Sequence, residues 1–234
     1  MQNQFSRTEL LIGKDEVEKL HNSKVIVYGI GGVGSFTVEA LARAGIGHLI
    51  LVDYDIVDIT NINRQIEATH SSVGKYKVDV MKERILDINP NTIIEVYKDK
   101  NEIDKETLII DSSVSYVVDA IDTMKNKIKL IEKANSEKVK IISGTGAANK
   151  INPTMFEVSD IYKTSVCPVC KILRKELKQR GIKKHKVVYS KEIPIKPKIN
   201  ENEKNRTLAS ISFVPSVAGL LIASEVVKDI LKNE

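Results

Sequence analysis

A glycine-rich stretch near the N-terminus has the residue types and spacing of a phosphate-binding loop. It reads Gly29-Ile30-Gly31-Gly32-Val33-Gly34, and it stands between an apolar run over 25–28 and another over 36–44. This order predicts a strand, a tight turn and a helix start, whose backbone N–H groups and dipole attract anions. Glycines let a phosphate approach the main chain closely. The nucleotide-binding glycines that this pattern predicts are Gly29, Gly31, Gly32 and Gly34.

An acidic residue follows the next apolar run. Asp53 comes directly after the predicted strand His48–Val52. In dinucleotide-binding folds an acid about 20 residues beyond the glycines binds the ribose hydroxyls. We therefore interpret Asp53 as a ribose ligand, and a helix-capping or turn residue is the alternative interpretation.

Three further polar residues indicate that the ligand carries several phosphates. Asn61 and Arg64 are three residues apart, so they share a face if the segment forms a helical turn. A guanidinium fork beside an amide suits phosphate oxygens better than a nicotinamide. Lys77 falls in the first turn of a helix predicted over 76–88, where a cation is unfavourable unless an anion lies beside it. An ordinary surface lysine is the alternative for Lys77.

A last acidic residue lies at the end of a later strand. The predicted strand Tyr116–Ala120 leads into Asp122 and Thr123. Because the carboxyl ends of parallel strands line the ligand crevice of an open α/β sheet, Asp122 is placed to hold a metal–phosphate complex. Asp122 is also a candidate cap for the helix predicted from Met124, and the two roles are compatible.

The remaining pattern alternates strands with helices as far as residue 148, which predicts an α/β, doubly wound, mainly parallel sheet. The predicted strands cover 25–28, 48–52, 92–97, 116–120, 138–143, 154–158 and 186–190. The predicted helices cover 15–21, 36–44, 76–88, 124–135, 168–180 and 216–232, and an amphipathic segment covers 104–111. The small residues Ala218, Gly219, Ala223 and Ser224 indicate that the last helix packs closely on the sheet or on a second subunit.

Composition narrows the class of protein. The 234 residues are 42% hydrophobic and 29% charged, as in an ordinary soluble domain. No apolar run reaches the roughly 18 residues that span a bilayer, and no secretory signal pattern opens the chain. Two cysteines are too few for a disulfide framework. We expect a cytoplasmic protein with no membrane partner.

Positive charge is concentrated in one segment. Residues 163–206 hold 14 lysines and arginines against 4 acidic residues, while the chain as a whole has a net charge of +5. A solvated lysine-rich loop is one interpretation of this basic segment. A surface for the phosphate backbone of a nucleic acid is the other.

The two cysteines form a Cys167-Pro168-Val169-Cys170 motif at the start of a predicted helix. A structural zinc site would need four ligands, and this motif offers two. The start of a helix lowers a thiol pKa, as redox-active Cys-x-x-Cys pairs require. Inert thiols, an auxiliary redox or metal role, and a nucleophile all remain open, as does half of a metal site that a second subunit completes.

Taken together, these residues resemble the ubiquitin-activating-type adenylating superfamily, with the family's order and spacing over about the first two-thirds of the chain. The resemblance implies ATP and Mg²⁺ as cofactors, leaves a monovalent cation open as a third, and implies a homodimer. It implies that Gly32 backs the nucleotide, that Asp53 binds the ribose, and that Asp122 holds Mg²⁺. The implied phosphate ligands are Asn61, Arg64 and Lys77, and Asn63, Gln65 and Thr123 complete the nucleotide-binding set. The implied catalytic residues are Arg64, Lys77, Asp122 and Arg7, the last reaching across the dimer.

Within this superfamily the chain is most similar to the group that dehydrates threonylcarbamoyladenosine in tRNA. The similarity rests on Asn61-Ile62-Asn63-Arg64-Gln65-Ile66, on Asp87-Ile88-Asn89-Pro90 and on the basic helix after Cys167. It implies one adenylating domain over 1–234, with a Rossmann-like nucleotide-binding core in 1–150. Residues 151–234 would form a C-terminal β/α extension that contains the basic insert, binds the tRNA and dimerises. An adenylyltransferase for a ubiquitin-like sulfur carrier is the alternative, and an NAD-dependent oxidoreductase is a third possibility that Asn61, Arg64 and Lys77 disfavour.

Overall fold

A seven-stranded sheet runs through the structure, a computed structural model that describes residues 2–98, 109–197 and 208–232. In chain order the strands are β1 (Lys24–Tyr28), β2 (His48–Val52), β3 (Ile93–Tyr97), β4 (Tyr116–Asp119), β5 (Ile141–Gly144), β6 (Phe156–Asp160) and β7 (Lys186–Ser190). Their order across the sheet is β3-β2-β1-β4-β5-β7-β6. Every neighbouring pair is parallel except β6 with β7.

Helices cover both faces of this sheet. They are α1 (Ser6–Ile12), α2 (Lys14–His21), α3 (Gly34–Ala44), α4 (Lys77–Ile88), α5 (Met124–Ser136), α6 (Pro168–Gln179) and α7 (Phe213–Leu231). Short 3₁₀ turns cover Ile59–Asn61, Pro153–Met155 and Ile161–Lys163. Among the described residues, no helix combines the length and the apolar character that crossing a membrane requires.

Alternation along the strands explains how the two faces are filled. Val25 and Val27 of β1 belong to a core cluster with α3, α4 and α7. Their neighbours Ile26 and Tyr28 belong to a second cluster with α5 on the opposite face. Because successive strand residues point to opposite sides, an apolar run such as β1 is buried on both faces. The predicted α/β, doubly wound, mainly parallel sheet is confirmed.

Some boundaries differ from the sequence prediction for local reasons. β5 begins at Ile141 because Lys138 takes a left-handed conformation, φ +58°, after α5. β6 begins at Phe156 because Pro153 opens a 3₁₀ turn. Helix α1 was not predicted, and Gly13 with φ +91° separates it from α2. Residues 104–108 of the predicted amphipathic segment lie outside the described residues, and 109–111 are not helical.

The last helix packs on its own chain. A Cβ at Gly219 would overlap the carbonyl oxygen of Val33. Thr37 of α3 donates its hydroxyl to the Gly219 carbonyl at 3.0 Å. The helix begins at Phe213, one turn before the predicted start, because Pro215 is tolerated in a first turn. The small residues of α7 therefore serve contact with α3 and the sheet, the first of the two expectations.

Candidate nucleotide-binding site

A cavity of about 340 Å³ opens at the carboxyl ends of the strands. The loops after β1, β2 and β4 form its walls, together with the start of α4. The strand order reverses between β1 and β4, which is where open α/β sheets bind their ligands. Ten of the sequence-predicted residues line the cavity: Gly29, Gly31, Gly32, Asp53, Asn61, Arg64, Gln65, Lys77, Asp122 and Thr123.

The glycine loop turns so tightly that two of its positions exclude side chains. Gly29 has φ +87°, and a Cβ there would lie 2.6 Å from the Ala120 carbonyl oxygen. A Cβ at Gly34 would overlap the Gly29 carbonyl, so Gly34 lets α3 approach β1 and does not line the cavity. By contrast, a Cβ at Gly31 would meet only Gln65 Nε2 at 3.8 Å. The bare backbone at Gly31 is therefore what an anion can approach.

Asp53 fixes the glycine loop to the end of β2. Its Oδ2 accepts the Ile30 N–H at 2.6 Å, and its Oδ1 accepts the Asp55 N–H at 2.8 Å. Burial raises the pKa of Asp53 above its ordinary value, while nearby Lys77 and these amides oppose the rise. Each oxygen retains a lone pair for a ligand hydroxyl. Asp53 is thus a turn residue that also faces the cavity.

Lys77 is the first residue of α4 and is 5% exposed. Its Nζ lies 2.8 Å from Asp55 Oδ2, so the anion that a cation at this helix start requires is the Asp55 carboxylate. The Asp55 side chain is 53% exposed and can turn into solvent. Sequence reasoning missed Asp55, although its place two residues after Asp53 was a usable signal.

The end of the 3₁₀ turn at Asn61 and the residues that follow it bring an amide, a guanidinium and a second amide to one wall. Asn61 Oδ1 accepts the Asp58 N–H at 3.0 Å, which leaves the Asn61 amide nitrogen for a ligand. Arg64 donates to the Thr60 carbonyl at 2.9 Å and to Asn63 Oδ1 at 2.8 Å. Gln65 is 7% exposed, and its Oε1 has no partner among the described residues. A buried acceptor without a partner beside a cavity suits a ligand N–H or O–H.

Asp122 lies exposed on the opposite rim of the cavity. The N-cap of α5 is Thr123, and within the described part of the chain the Asp122 carboxylate makes no hydrogen bond, so the helix-cap alternative is not seen. Its oxygens are free for a cation. Residues 2–98, 109–197 and 208–232 contain no group of three His, Cys, Asp or Glu that could hold a metal ion by itself.

Two predicted residues lie away from the cavity, in addition to Gly34. Arg7 is exposed on α1. Asn63 donates its amide to the Ser210 carbonyl at 3.1 Å and so anchors a segment that does line the cavity.

The lining residues that sequence reasoning missed are Tyr28, Val33, Val52, Tyr54, Asp55, Ala120, Ile121, Asn126, Ala147, Ala148, Leu208, Ala209, Ser210 and Pro215. Asn126 could have been found from its helical spacing to Asp122, whereas 208–210 gave no local signal.

A buried polar network lies behind the cavity, at the ends of β4 and β5. Lys127 Nζ lies 2.7 Å from Asp119 Oδ2, and Ser143 donates its hydroxyl to the same oxygen. Ser143 Oγ also lies 2.8 Å from His185 Nε2. Burial lowers the pKa of His185 to about 3, with Lys127 adding to the effect, so the imidazole is neutral. All four side chains are at most 3% exposed.

The basic segment is only partly neutralised in its described residues, 163–197. Arg180, Lys186 and Lys191 are held in ion pairs. Lys171, Lys175 and Lys178 are exposed on one side of α6. They form no ion pair within the described part of the chain, and we name them the α6 lysine stripe. Residues 198–206 of the segment lie outside the described residues.

The two cysteines of the 167–170 motif lie inside the protein. Both cysteines are free and buried, at the N-terminus of α6. Since no third metal ligand joins them among the described residues, the metal alternative gains no support there.

A family model described as "ThiF family" matches residues 5–234. The chain belongs to the ThiF family. It is 47% identical to the tRNA threonylcarbamoyladenosine dehydratase of Bacillus subtilis, over 100% of this chain and 96% of that protein. It is 32% identical to the tRNA threonylcarbamoyladenosine dehydratase of Haemophilus influenzae, over 100% of this chain and 95% of that protein. It matches a crystal structure of the Escherichia coli dehydratase in complex with ATP, with a TM-score of 0.86 and 32% sequence identity. The match covers 97% of this chain and 93% of the Escherichia coli chain.

Adenylyltransferases that act in sulfur-carrier pathways, the alternative interpretation of the sequence, match less of the chain. The molybdopterin-synthase adenylyltransferase of Salmonella typhimurium is 31% identical over 65% of this chain and 61% of that protein. The similarity over the whole length therefore favours the dehydratases over the sulfur-carrier adenylyltransferases.

Proposed function

We propose that this protein is an ATP-dependent tRNA threonylcarbamoyladenosine dehydratase. The observation that carries the proposal is the whole-length similarity to the Bacillus subtilis enzyme of that name. The cavity supports it, because a glycine loop, a buried lysine and a free carboxylate meet there, as an ATP site requires. The proposal includes a cytoplasmic location, where tRNA is available.

The reaction has two steps and balances without an enzyme nucleophile. The carboxylate of the threonylcarbamoyl group attacks the α-phosphorus of ATP, which releases pyrophosphate and leaves an acyl adenylate. The ureido group then attacks the activated carbonyl, releases its proton to solvent, closes a ring and expels AMP. One water is lost from the nucleoside overall. Because the second step is intramolecular, positioning supplies much of its rate.

The cavity residues divide this work. Arg64 and Lys77 neutralise the phosphate charge that develops as pyrophosphate leaves, which is the main catalytic demand. Lys77 would exchange Asp55 for the phosphates when ATP binds. Asp53 holds the ribose hydroxyls, and the bare backbone of the glycine loop receives the phosphates. The remaining nucleotide contacts come from Asn61, Gln65 and Thr123, with Asn63 bracing Arg64.

Asp122 fits a Mg²⁺ ion that is shared with ATP. Mg²⁺ in such sites is held by one or two carboxylates plus substrate phosphates, and Asp122 is a free carboxylate on the cavity rim. When bound, Mg²⁺ would neutralise phosphate charge. We assign no site for a monovalent cation.

Arg7 enters the proposal through a homodimer. Helix α1 buries none of its own residues, and Leu10 and Leu11 are 88% and 84% exposed. We propose that this helix lies on a second subunit, so that Arg7 reaches the partner's phosphates. Mixing inactive Arg7→Ala and Arg64→Ala proteins tests this arrangement. Random exchange between symmetric dimers should restore about a quarter of wild-type activity, and no recovery would remove Arg7 from the site.

The tRNA substrate is proposed to lie along the α6 lysine stripe. α6 begins beside the 144–148 loop, whose Ala147 and Ala148 line the cavity. A Lys175→Ala/Lys178→Ala protein should bind tRNA more weakly and show a salt-dependence slope smaller by about 2. Lys228→Ala/Lys232→Ala is the matched control, because these lysines lie at the far end of α7. Equal losses in both proteins would argue against a stripe-specific contact.

The deciding assay measures AMP release from ATP with three substrates. tRNA bearing threonylcarbamoyladenosine should support release and lose one water by nucleoside mass spectrometry. The same tRNA without the modification, and a ubiquitin-like sulfur carrier, should not support release. Release that depends on the carrier would replace the proposal with the adenylyltransferase alternative. Arg64→Ala and Asp122→Ala should abolish release, and Cys167→Ala should leave it largely intact.

A further inference from the structure

Two thiols that the proposed reaction does not use lie beside the nucleotide cavity. Cys167 is the N-cap of α6, and Cys170 is in the first turn of the same helix. They are 3% and 1% exposed. Residues three apart at a helix start face one another, so the two sulfurs are close enough to interact. The pair also touches the loop after β5.

The backbone that leads into Cys167 is strained. Val166 has φ +61°, and the Cys167 N–H donates to the Ser165 carbonyl at 2.6 Å, which closes a three-residue turn. A left-handed conformation is unfavourable for a β-branched residue, because its Cβ crowds the following carbonyl oxygen. Val166 is 52% exposed, so core packing does not impose this conformation. Strain of this kind concentrates at functional sites.

The two thiols differ in acidity in the way that redox pairs do. The Cys170 thiol, helped by the backbone amides of Val169 and Cys170 and by Lys150, lowers the pKa of Cys167 to about 6 against the effect of burial. The interaction with Cys167, followed by burial, raises the pKa of Cys170 above its ordinary value. Cys167 is thus the more acidic thiol of the pair, and Cys170 is the less acidic one. One attacking and one resolving thiol are what exchange requires.

The thiols contact the loop after β5 immediately before the two residues that line the cavity. A Cβ at Gly146 would lie 2.6 Å from Cys167 Sγ, and Thr145 Oγ1 lies 3.1 Å from Cys170 Sγ. The next two residues, Ala147 and Ala148, line the nucleotide cavity. A disulfide would bring the two sulfurs to about 2.05 Å and remove the Cys170 hydrogen. Both changes alter the contacts on which the loop rests.

We propose that Cys167 and Cys170 form a reversible dithiol–disulfide pair, and that closing the disulfide shifts the 144–148 loop and weakens nucleotide binding. The oxidant is a low-molecular-weight disulfide such as oxidised glutathione. The proposal requires only that the cavity binds ATP, and it is independent of the tRNA substrate.

The thiol–disulfide exchange with oxidised glutathione proceeds in two steps. Cys167 thiolate attacks one sulfur of the oxidant, whose S–S bond breaks, and the departing thiolate takes a proton from solvent. Cys170 then gives its proton to solvent and attacks Cys167 Sγ, which forms the protein disulfide and expels the second glutathione thiolate. Two electrons pass from the protein to the oxidant, and a dithiol reductant reverses the change. Displacement of the strained turn at Val166 gives the oxidant access to Cys167.

The first test measures thiol state in the full-length protein. Samples are equilibrated in reduced and oxidised glutathione, quenched with acid, alkylated and weighed intact. The wild type should lose two hydrogens, with both thiols protected from alkylation. Cys170→Ala should instead accumulate one glutathione on Cys167, because its resolving thiol is missing. A wild type that stays reduced, or that ends as a stable glutathione adduct, overturns the proposal.

The second test measures the link to the cavity by calorimetric titration with ATP, without tRNA. Oxidised wild type should bind ATP about fivefold or more weakly than reduced wild type, as expected for coupled sites. Dithiothreitol should restore the affinity. The Cys167→Ser/Cys170→Ala double variant is the matched control and should bind ATP equally before and after oxidant. Equal affinity of the oxidised and reduced wild type would overturn the link between the disulfide and the cavity.

Discussion

Two polar clusters flank the cavity, and they differ in how their charges are balanced. The acidic cluster, at the end of β2 and the start of α4, has three carboxyl groups (Asp53, Asp55, Glu67) and one ammonium (Lys77). Both oxygens of Glu67 are buried, and neither makes a hydrogen bond of good geometry with the described residues. The closed cluster, at the ends of β4 and β5, consists of Asp119, Lys127, Ser143 and His185. It has one carboxylate and one ammonium, and its members bond to one another.

The contrast separates a site that awaits a ligand from one that needs none. Polar groups that are buried without partners raise the free energy of the folded state, so proteins keep few of them without a functional reason. In the acidic cluster, the ion-pair partner of Lys77 among the described residues is the half-exposed Asp55, which a polyphosphate can replace. Lys127, in contrast, is 2% exposed and bound to a fully buried carboxylate. We therefore expect substitutions in the closed cluster to affect stability and those in the acidic cluster to affect ATP chemistry.

The largest stability loss should come from Lys127→Met. The substitution leaves the Asp119 carboxylate buried without its counter-charge, which lowers the free energy of unfolding by about 3–5 kcal/mol. Lys133→Met is the control on the same helix, because Lys133 pairs with Glu137 at the surface, where a pair contributes about 0.5 kcal/mol. Urea denaturation measures both. A loss at Lys127 no larger than at Lys133 would mean that the closed cluster does not depend on its charges.

Lys77→Met, in contrast to Lys127→Met, should reduce activity more than stability. Loss of the ammonium should reduce ATP-dependent AMP formation by about 10²–10³-fold, as removal of one charge-stabilising donor does elsewhere. The free energy of unfolding should fall less than in Lys127→Met, because Asp55 is left in solvent. The loss is not zero, because Lys77 also opposes the rise in the pKa of buried Asp53 and Glu67. Lys75→Met removes an exposed lysine two residues earlier and should leave both quantities unchanged. A large loss of stability with intact activity would make Lys77 a structural residue.

The same contrast explains how much could be predicted from the sequence. The glycine loop, Asp53 and Lys77 stand next to strand and helix boundaries, so local pattern was enough to place them on one cavity. The closed cluster joins β4, α5, β5 and the residue before β7, and no spacing along the chain indicates that His185 contacts Ser143. Helix α1 was missed because its apolar residues Leu10 and Leu11 face outward and so give no core-facing pattern.

Glu67→Gln should stabilise the protein at neutral and alkaline pH. Burial raises the pKa of Glu67 to about 7, with Lys77 opposing the rise, so the folded state holds a proton that the unfolded state loses near its ordinary pKa of 4.5. The stability of the wild type therefore falls as the pH rises from about 4.5 to 7. Gln removes this loss, which amounts to about 3 kcal/mol at pH 8. Denaturation should show a gain of about 1 kcal/mol at pH 5 and of about 3 kcal/mol at pH 8. A gain that is equal at both values would indicate better packing and not a relieved charge.

His185→Gln should weaken the acid sensitivity of folding. The pKa of His185 is lowered in the folded state to about 3 from an ordinary value of 6.5. Between these two pH values the unfolded state binds a proton that the folded state does not bind. Stability that is present above pH 6.5 is therefore lost as the pH falls towards 3, and the loss between pH 7 and pH 5 is about 2 kcal/mol. Gln keeps a donor or acceptor for Ser143 but has no proton to take up. The variant is expected to begin less stable at pH 7, so the comparison lies in the slope of unfolding free energy against pH. If the two slopes coincide, His185 is not buried as a neutral side chain, and the closed cluster is open to solvent after all.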